Sequence, residues 1–371
     1  MLMSHDDGVP AGPAASDAGA GVSVILEVVR ALKAGAPLTH ALIVLQSDGE
    51  EAGLLGASAF VREHRFAKDV AVTLNFEARG TGGRASMFET GPGNLDLVRL
   101  LHETPDVTAS SLIVTIYRTL DNDTDLSEVA LLGKPALNFA FVDDVMRYHT
   151  TEDDTLHIDP GSMQQEGAQA LAVVRALGAG PLPRPITRDA VFTDLHPFGL
   201  VYYSQSIVRG MAITLAIAFL LATILVSRRE THVLREMTSG AVTTIVAMAV
   251  AGGLAAGVGA LVTRVHASVG GSPEFAGIYA IAMVALAVAG ALGCWSLARR
   301  WCSTDGLHHA VLLVWTVLMV FASFTQPGAS FVVVWPLAAA LLTAITHGAG
   351  PVVRSVMSLV AACAAPRSMA A

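Results

Sequence analysis

Cysteine is nearly missing from this chain of 371 residues: there are three, Cys294, Cys302 and Cys363, all in the second half. A disulfide framework is therefore excluded in the first half, and so are thiolate ligands, so a metal bound there must be held by His, Asp and Glu. Charge is scarce as well. Charged residues make up 15% of the chain against 53% apolar, and the mean hydropathy of +0.56 is too high for an ordinary soluble protein. Part of the chain must lie in lipid. What charge there is divides unevenly: up to Ala190 there are 26 acidic and 14 basic residues, beyond it 5 and 9. An acidic globular part is joined to a membrane part, and with a net charge of -8 no nucleic-acid partner is expected.

Long apolar runs cover 207–226, 241–262, 276–298, 310–324 and 331–346. Most approach the ~20 residues needed to cross a bilayer. A sixth run, 352–365, is short and carries Arg354, so 207–371 is expected to hold five or six helices in contact with membrane lipid. Acidic residues are absent from these runs, which argues against a proton- or ion-coupled transporter. Arginines follow the first run (Arg228, Arg229, Arg235) and the third (Arg299, Arg300), whereas Arg264 stands alone after the second. The positive-inside rule then predicts a multi-pass protein with its acidic part on the non-cytoplasmic side. The opening stretch "MLMSHDDGVPAGP" has neither a signal-type apolar core nor a span to carry that part across, so a truncated start is expected.

In the first half, "GAGVSVILEVVRALK" places Val22, Ile25, Leu26, Val29 and Leu32 on one helical stripe, with Ser16 or Asp17 as N-cap. An apolar strand follows at 41–45, a helix at 52–64 and a strand from Val70. Further on, "LDLVRLLHE" reads as helix, "PALNFAFV" as buried strand and "SMQQEGAQALAVVRAL" as a closing helix. This alternation predicts an α/β domain over 1–180, a mostly parallel sheet sandwiched by helices. The Pro- and Gly-rich segment 181–206 reads as a linker.

In such a sheet the functional crevice lies beyond the carboxyl ends of the strands. There stand His5 and Asp7 after "MLM", Asp17 before the first helix, Glu50 and Glu51 after the second strand, Glu77 at the end of the third, and His149 after "NFAFVDDVMRY". Five of them make a balanced set for two zinc ions: His5 and Glu51 on one, Glu77 and His149 on the other, Asp17 bridging. Each ion then keeps an open position, as catalytic zinc does. Glu50 is left to face the water as general base, and Asp7 to accept the second imidazole N–H of His5 and fix its tautomer.

The stretches "HDDGVPAGPAASDAGAG", "SDGEEAGLLGASAF", "LNFEARG", "NDTD" and "YHTTEDD" together resemble the M28 family of zinc aminopeptidases, most closely its multi-spanning membrane branch. The likeness covers roughly 4–177. It implies His5, Asp17, Glu51, Glu77 and His149 as ligands of two zinc ions, Glu50 as catalytic base, a peptide or protein substrate, and Tyr148 and Asp125 as supporting residues near that substrate. The family usually has an aromatic where Asp6 stands and often an acid where Ala18 stands. It also has more chain before the first motif. Only "MLMS" precedes His5 here, which predicts a clipped, frayed strand under the first ligand.

Taken singly, each residue has a plainer reading. Paired glutamates at a helix start suit the helix dipole, Asp17 suits a cap, and His5 a surface position. Their joint occurrence in order at successive strand ends reverses this. His40, His64, His102 and His157 read as surface residues, Asp143 and Asp153 as loop charge, and "GTGG" as a flexible turn, since no Lys-Ser or Lys-Thr follows it. Membrane-anchored aminopeptidase is thus the first expectation. The alternatives are a one-zinc glutaminyl cyclase-like enzyme on the same scaffold and a catalytically inactive binding or scaffold protein.

Overall fold

The structure, a computed structural model, describes residues 1–183, 188–196, 198–228, 232–265 and 276–346. It divides into two units, the first running from Met1 to Gln205. In chain order this unit has β1 (Leu2–His5), α1 (Gly19–Lys33), β2 (Val44–Ser47), α2 (Leu55–Glu63), β3 (Thr73–Ala78), β4 (Ser86–Thr90), α3 (Leu95–His102), β5 (Thr108–Ala109), α4 (Ser111–Tyr117), α5 (Asp125–Val129), β6 (Ala136–Phe141), α6 (Pro160–Ala179), β7 (Ala190–Asp194) and β8 (Leu200–Ser204).

Six strands form one sheet in the order β2-β1-β3-β6-β4-β5. All neighbours are parallel except β4 with β6. The expected α/β class, a mostly parallel sheet between helices, is what the chain adopts. Alternation along β1 shows how the layers form: Leu2 packs with Val24, Ile25 and Val28 of α1 and with α6, whereas Met3 packs on the opposite face with Leu126 and Val129 of α5. Phe76 of β3 and Phe139 of β6 are fully buried and stack at 5.5 Å between centroids. Burial of side chains this size is worth about 1.5–3 kcal/mol each, which fixes the register that aims the strand ends.

Several local expectations change. β1 lies between β2 and β3 and His5 is 1% exposed, so the strand under the first ligand is interior rather than frayed. Helix α1 starts at Gly19 with Ala18 at the cap and no side-chain cap bond, so neither Ser16 nor Asp17 caps it. Its buried face runs through Ala20, Gly21, Val24, Ile25 and Val28, leaving Leu26 57% exposed. The stripe is rotated because Gly21 lets the helix settle on β3, where a Cβ would meet the Phe76 carbonyl at 2.5 Å. The segment expected as linker contains the β7–β8 hairpin, whose Ala190, Phe192 and Leu200 join the main core. Ser111 Oγ donates to the Phe192 carbonyl and accepts from its N–H, both at 3.0 Å.

The second unit begins at Ser206. It contains α7 (Val208–Ser227), α8 (His232–Val265), α9 (Ala276–Ala298), α10 (Thr304–Thr325) and α11 (Phe331–Thr346). Among the described residues, four of its helices are long and apolar enough to cross a membrane, and α11 is a shorter apolar helix interrupted by Pro336. α7, α10 and α11 share a core through Phe219, Leu312, Met319, Val334 and Leu337. Ile278, Ile281, Val284 and Phe321 point outward, more than 60% exposed, as a surface made for lipid requires. The sixth expected run, 352–365, lies outside the described residues.

Candidate metal centre

The site residues stand on the carboxyl ends of β1, β2, β3 and β6, where the parallel sheet opens a crevice. His5 is the last residue of β1 and Glu77 sits near the end of the adjacent β3. Both are buried, and their side chains approach to 3.4 Å between His5 Nε2 and Glu77 Oε2. Glu51 and His149 arrive on loops and meet at 2.8 Å between Nε2 of His149 and Oε1 of Glu51. Asp17 stands between the two pairs. Its Oδ1 lies 3.3 Å from His5 Nε2 and its Oδ2 3.1 Å from His149 Nε2.

Two sets of three donors result, His5–Asp17–Glu77 and Asp17–Glu51–His149. Within each, the ligand atoms lie within 4.8 Å of one another. The pairing differs from the expected one: His5 goes with Glu77, not Glu51. β1 and β3 are hydrogen-bonded neighbours, so residues at their ends sit side by side, whereas Glu51 is carried past the end of β2 and over the crevice toward His149.

The acids are crowded in a way that calls for cations. Burial and then the charge of Glu77 push the Glu50 carboxyl up to about 8. Burial raises Glu77 and Glu51 as well, with Asp17 the next cause for Glu51. Burial opposes a charge on His5, but Asp17 and Glu77 outweigh it and hold the imidazolium up to about 12. Burial likewise opposes ionisation of Asp17, yet bonds from His149 and His5 bring it below the usual carboxylate range. The bond to Asp17 raises His149. Buried like charges are costly unless balanced, and an imidazole–carboxylate donor set without thiols is suited to zinc. The residues present therefore fit zinc, with Asp17 common to both donor sets.

Asp7 acts differently from expectation. The Nδ1 of His5 pairs at 3.0 Å with the Asp7 backbone carbonyl, which fixes the tautomer, while the Asp7 carboxylate is 3.4 Å away. That carboxylate accepts the backbone N–H groups of Glu50 (3.0 Å) and Glu51 (3.2 Å) and so sets the turn on which both glutamates stand. From this turn Glu51 reaches His149, and Glu50 lines a cavity with Asp17 and Glu77. Tyr148 lines the same cavity and stacks on His149 at 3.7 Å. His149 itself has φ 59°, in the left-handed region. Asp125 does not face the cavity: it is fully buried and accepts the hydroxyl of Ser47 at the end of β2. It supports the strand that carries the glutamate turn.

Three residues escaped the sequence reading. Asp153, taken there as loop charge, is 2% exposed and accepts Ser16 N–H (2.7 Å), Ser16 O–H (2.5 Å) and Asp17 N–H (3.2 Å). It clamps the chain just before and at Asp17. Asn75 donates to Glu77 Oε1 at 2.8 Å and to Asn138 at 3.1 Å, and Asn138 donates on to Glu89 and Thr124. Arg79 lines the cavity beside the acids. The alternation of β3 held a signal for Asn75, which shares the side of the sheet that Glu77 faces, whereas Arg79 stands just past the strand end.

Residues 1–174 match the model of Peptidase family M28. The chain is 29% identical over 216 residues to endoplasmic reticulum metallopeptidase 1 of Homo sapiens, 56% of this chain and 24% of that one. It is 30% identical over 181 residues to the vacuolar membrane protease of Coccidioides posadasii, covering 48% and 18%. The chain thus spans about a quarter or less of the length of these curated relatives. Among solved structures it is similar to BSAP, a zinc aminopeptidase from Bacillus subtilis, at 24% identity over 48% of this chain and 46% of that one, with a TM-score of 0.40. LapA aminopeptidase of Legionella pneumophila shows 19% identity over 48% and 51%, also with a TM-score of 0.40. The match to peptidase family M28 thus covers residues 1–174, just under half of the chain, and the relatives similar over that region are named as an endoplasmic reticulum metallopeptidase and a vacuolar membrane protease.

Proposed function

We propose that the chain is a membrane-anchored metallopeptidase that uses two zinc ions and removes N-terminal residues from peptides. The observation that carries this reading is the shared carboxylate: Asp17 offers one oxygen to each of two imidazoles, and each half of the site adds one further glutamate. His5, Asp17 and Glu77 would hold one ion and Asp17, Glu51 and His149 the other. When bound, such a pair polarises the scissile carbonyl and makes water a better nucleophile. Glu50, on the cavity side of the turn, takes the proton from the attacking water and returns it to the leaving amine. Its raised affinity for a proton, at about 8, supports that role. Tyr148, stacked on His149, holds the imidazole ring in place from the cavity side. The acidic crevice suits a protonated amino terminus. The arginine pattern around the first three long helices supports a peptidase unit on the non-cytoplasmic face.

The test is made on the full chain in detergent, stripped with chelator and reloaded. Two zinc ions per chain and zinc-restored hydrolysis of peptide amides are expected. Glu50→Gln is expected to keep the ions while losing about 10²–10⁴ in turnover. One ion per chain would favour the cyclase-like reading. Two ions with no hydrolysis would favour a binding protein.

A further inference from the structure

We propose that Arg79 anchors a carboxylate of the peptide substrate, making the cavity beside the metal centre selective for acidic over neutral substrates. This rests on the peptidase reading above. The cavity is about 330 Å³; Asp17, Glu50 and Glu77 line it together with apolar Ile113, Ile116 and Val142. Arg79 stands just past the end of β3, two residues after Glu77, and lines the same crevice.

A guanidinium in such a setting normally finds an acid. Arg62, Arg84 and Arg147 each pair with carboxylates, and Arg118 donates to the Thr90 carbonyl. Among the described residues Arg79 has no ion pair and no side-chain hydrogen bond, although four acids, Asp17, Glu50, Glu77 and Asp123, line the same cavity. Its guanidinium carbon lies 5.1 Å from the centroid of the Tyr148 ring. That contact engages the face of the group. The N–H donors lie in its plane and remain open, in the fork geometry that accepts a carboxylate through two bonds. Tyr148 is itself held by its stack on His149, so the fork is positioned relative to the metal ligands. The neighbouring apolar wall accommodates the methylenes that carry an acidic group.

Two parts of a peptide present this chemistry: an acidic N-terminal side chain and the free carboxyl end of a very short peptide. Four dipeptides separate them: Glu-Ala-amide against Gln-Ala-amide, and Leu-Ala against Leu-Ala-amide. Using the zinc-loaded full chain, we expect the carboxylate member of one pair to be favoured in kcat/KM by about ten- to a hundredfold, the range of a charge-assisted bond. Preference within the first pair identifies the side chain, within the second the carboxyl end. Arg79→Gln is expected to erase the preference and Arg79→Lys to retain part of it. The same four peptides are titrated calorimetrically against Glu50→Gln protein, with and without Arg79→Gln, so that selectivity is read without turnover. If no peptide is hydrolysed but the Arg79-dependent binding preference persists, the peptidase reading fails and this inference stands. Equal affinity within both pairs overturns it, and so does a fall in zinc content in Arg79→Gln with selectivity unchanged, which would assign Arg79 to charge balance.

Discussion

Replacing Asp153 tests how the shared ligand is held. The Asp153 carboxylate accepts three hydrogen bonds from Ser16 and Asp17 in a site it leaves only 2% exposed. Asn has nearly the same shape but loses the charge and turns one acceptor oxygen into a donor, which then faces an N–H or O–H. A buried donor left unpaired costs about 1–3 kcal/mol, and a hydrogen bond to a charged group contributes about 1.5–3 kcal/mol. Asp153→Asn should therefore lose about 2–4 kcal/mol and Asp153→Ala somewhat more. Because the clamp holds the chain at Asp17, the change should also lower zinc affinity by about 10–100-fold, the usual effect of removing a group that orients a ligand. Zinc affinity is measured by competition with a chromogenic chelator, and stability by thermal unfolding of the stripped protein. Glu152→Ala is the control, since Glu152 is 63% exposed and 3.5 Å from Arg147, and should change neither quantity by more than about 0.5 kcal/mol. If Asp153→Asn unfolds at a lower temperature yet binds both ions like the parent, the clamp is structural only and the link to Asp17 is refuted.

Other expectations follow from the same geometry. His5 and Glu50 both bind protons more tightly in the folded chain, at about 12 against 6.5 and about 8 against 4.5. Their contributions are fully present below the unfolded values and are lost as pH rises through the folded ones, so the zinc-free protein should unfold more easily at pH 8.5 than at pH 6. Zinc must displace the His5 proton, so its apparent Kd should fall by about tenfold per pH unit for each proton released, as calorimetry in buffers of differing ionisation enthalpy can check. Asp7→Ala removes the acceptor for the Glu50 and Glu51 amides and should weaken one ion more than the other, giving a zinc content between one and two per chain. Gly21→Ala should gain about 1 kcal/mol in helix propensity but lose more to the clash with the Phe76 carbonyl, for a net destabilisation of about 1–3 kcal/mol in urea unfolding.

The elements that place the ligands were legible because each announces itself locally. β3 and β6 are short apolar runs, α6 begins at Pro160 after the capping Asp159, and the ligands stand just past such signals. What stayed hidden depends on distant partners. β5 has two residues and no period, and β4 shows its direction only through its pairing with β6. The α1 stripe misled because hydrophobicity alone does not register that Gly21 is a point of close approach. Asp153 meets Ser16 across 137 positions, a contact that no spacing rule reports. The exchange of Glu51 and Glu77 between the two halves has the same origin: the side chains were identifiable, but their grouping follows from strand order, which places β3 beside β1.

His149 adopts a left-handed backbone at φ 59°, a conformation that costs a non-glycine residue of order 1–3 kcal/mol. Two carboxylates pull on its ring from one side and the Tyr148 ring rests against it. The loop is thus a loaded spring whose catch is the site it serves. Withdraw either carboxylate, and the backbone gains by relaxing and carrying the imidazole away, a change that amide exchange at Tyr148 and Thr150 reads without any assay of turnover.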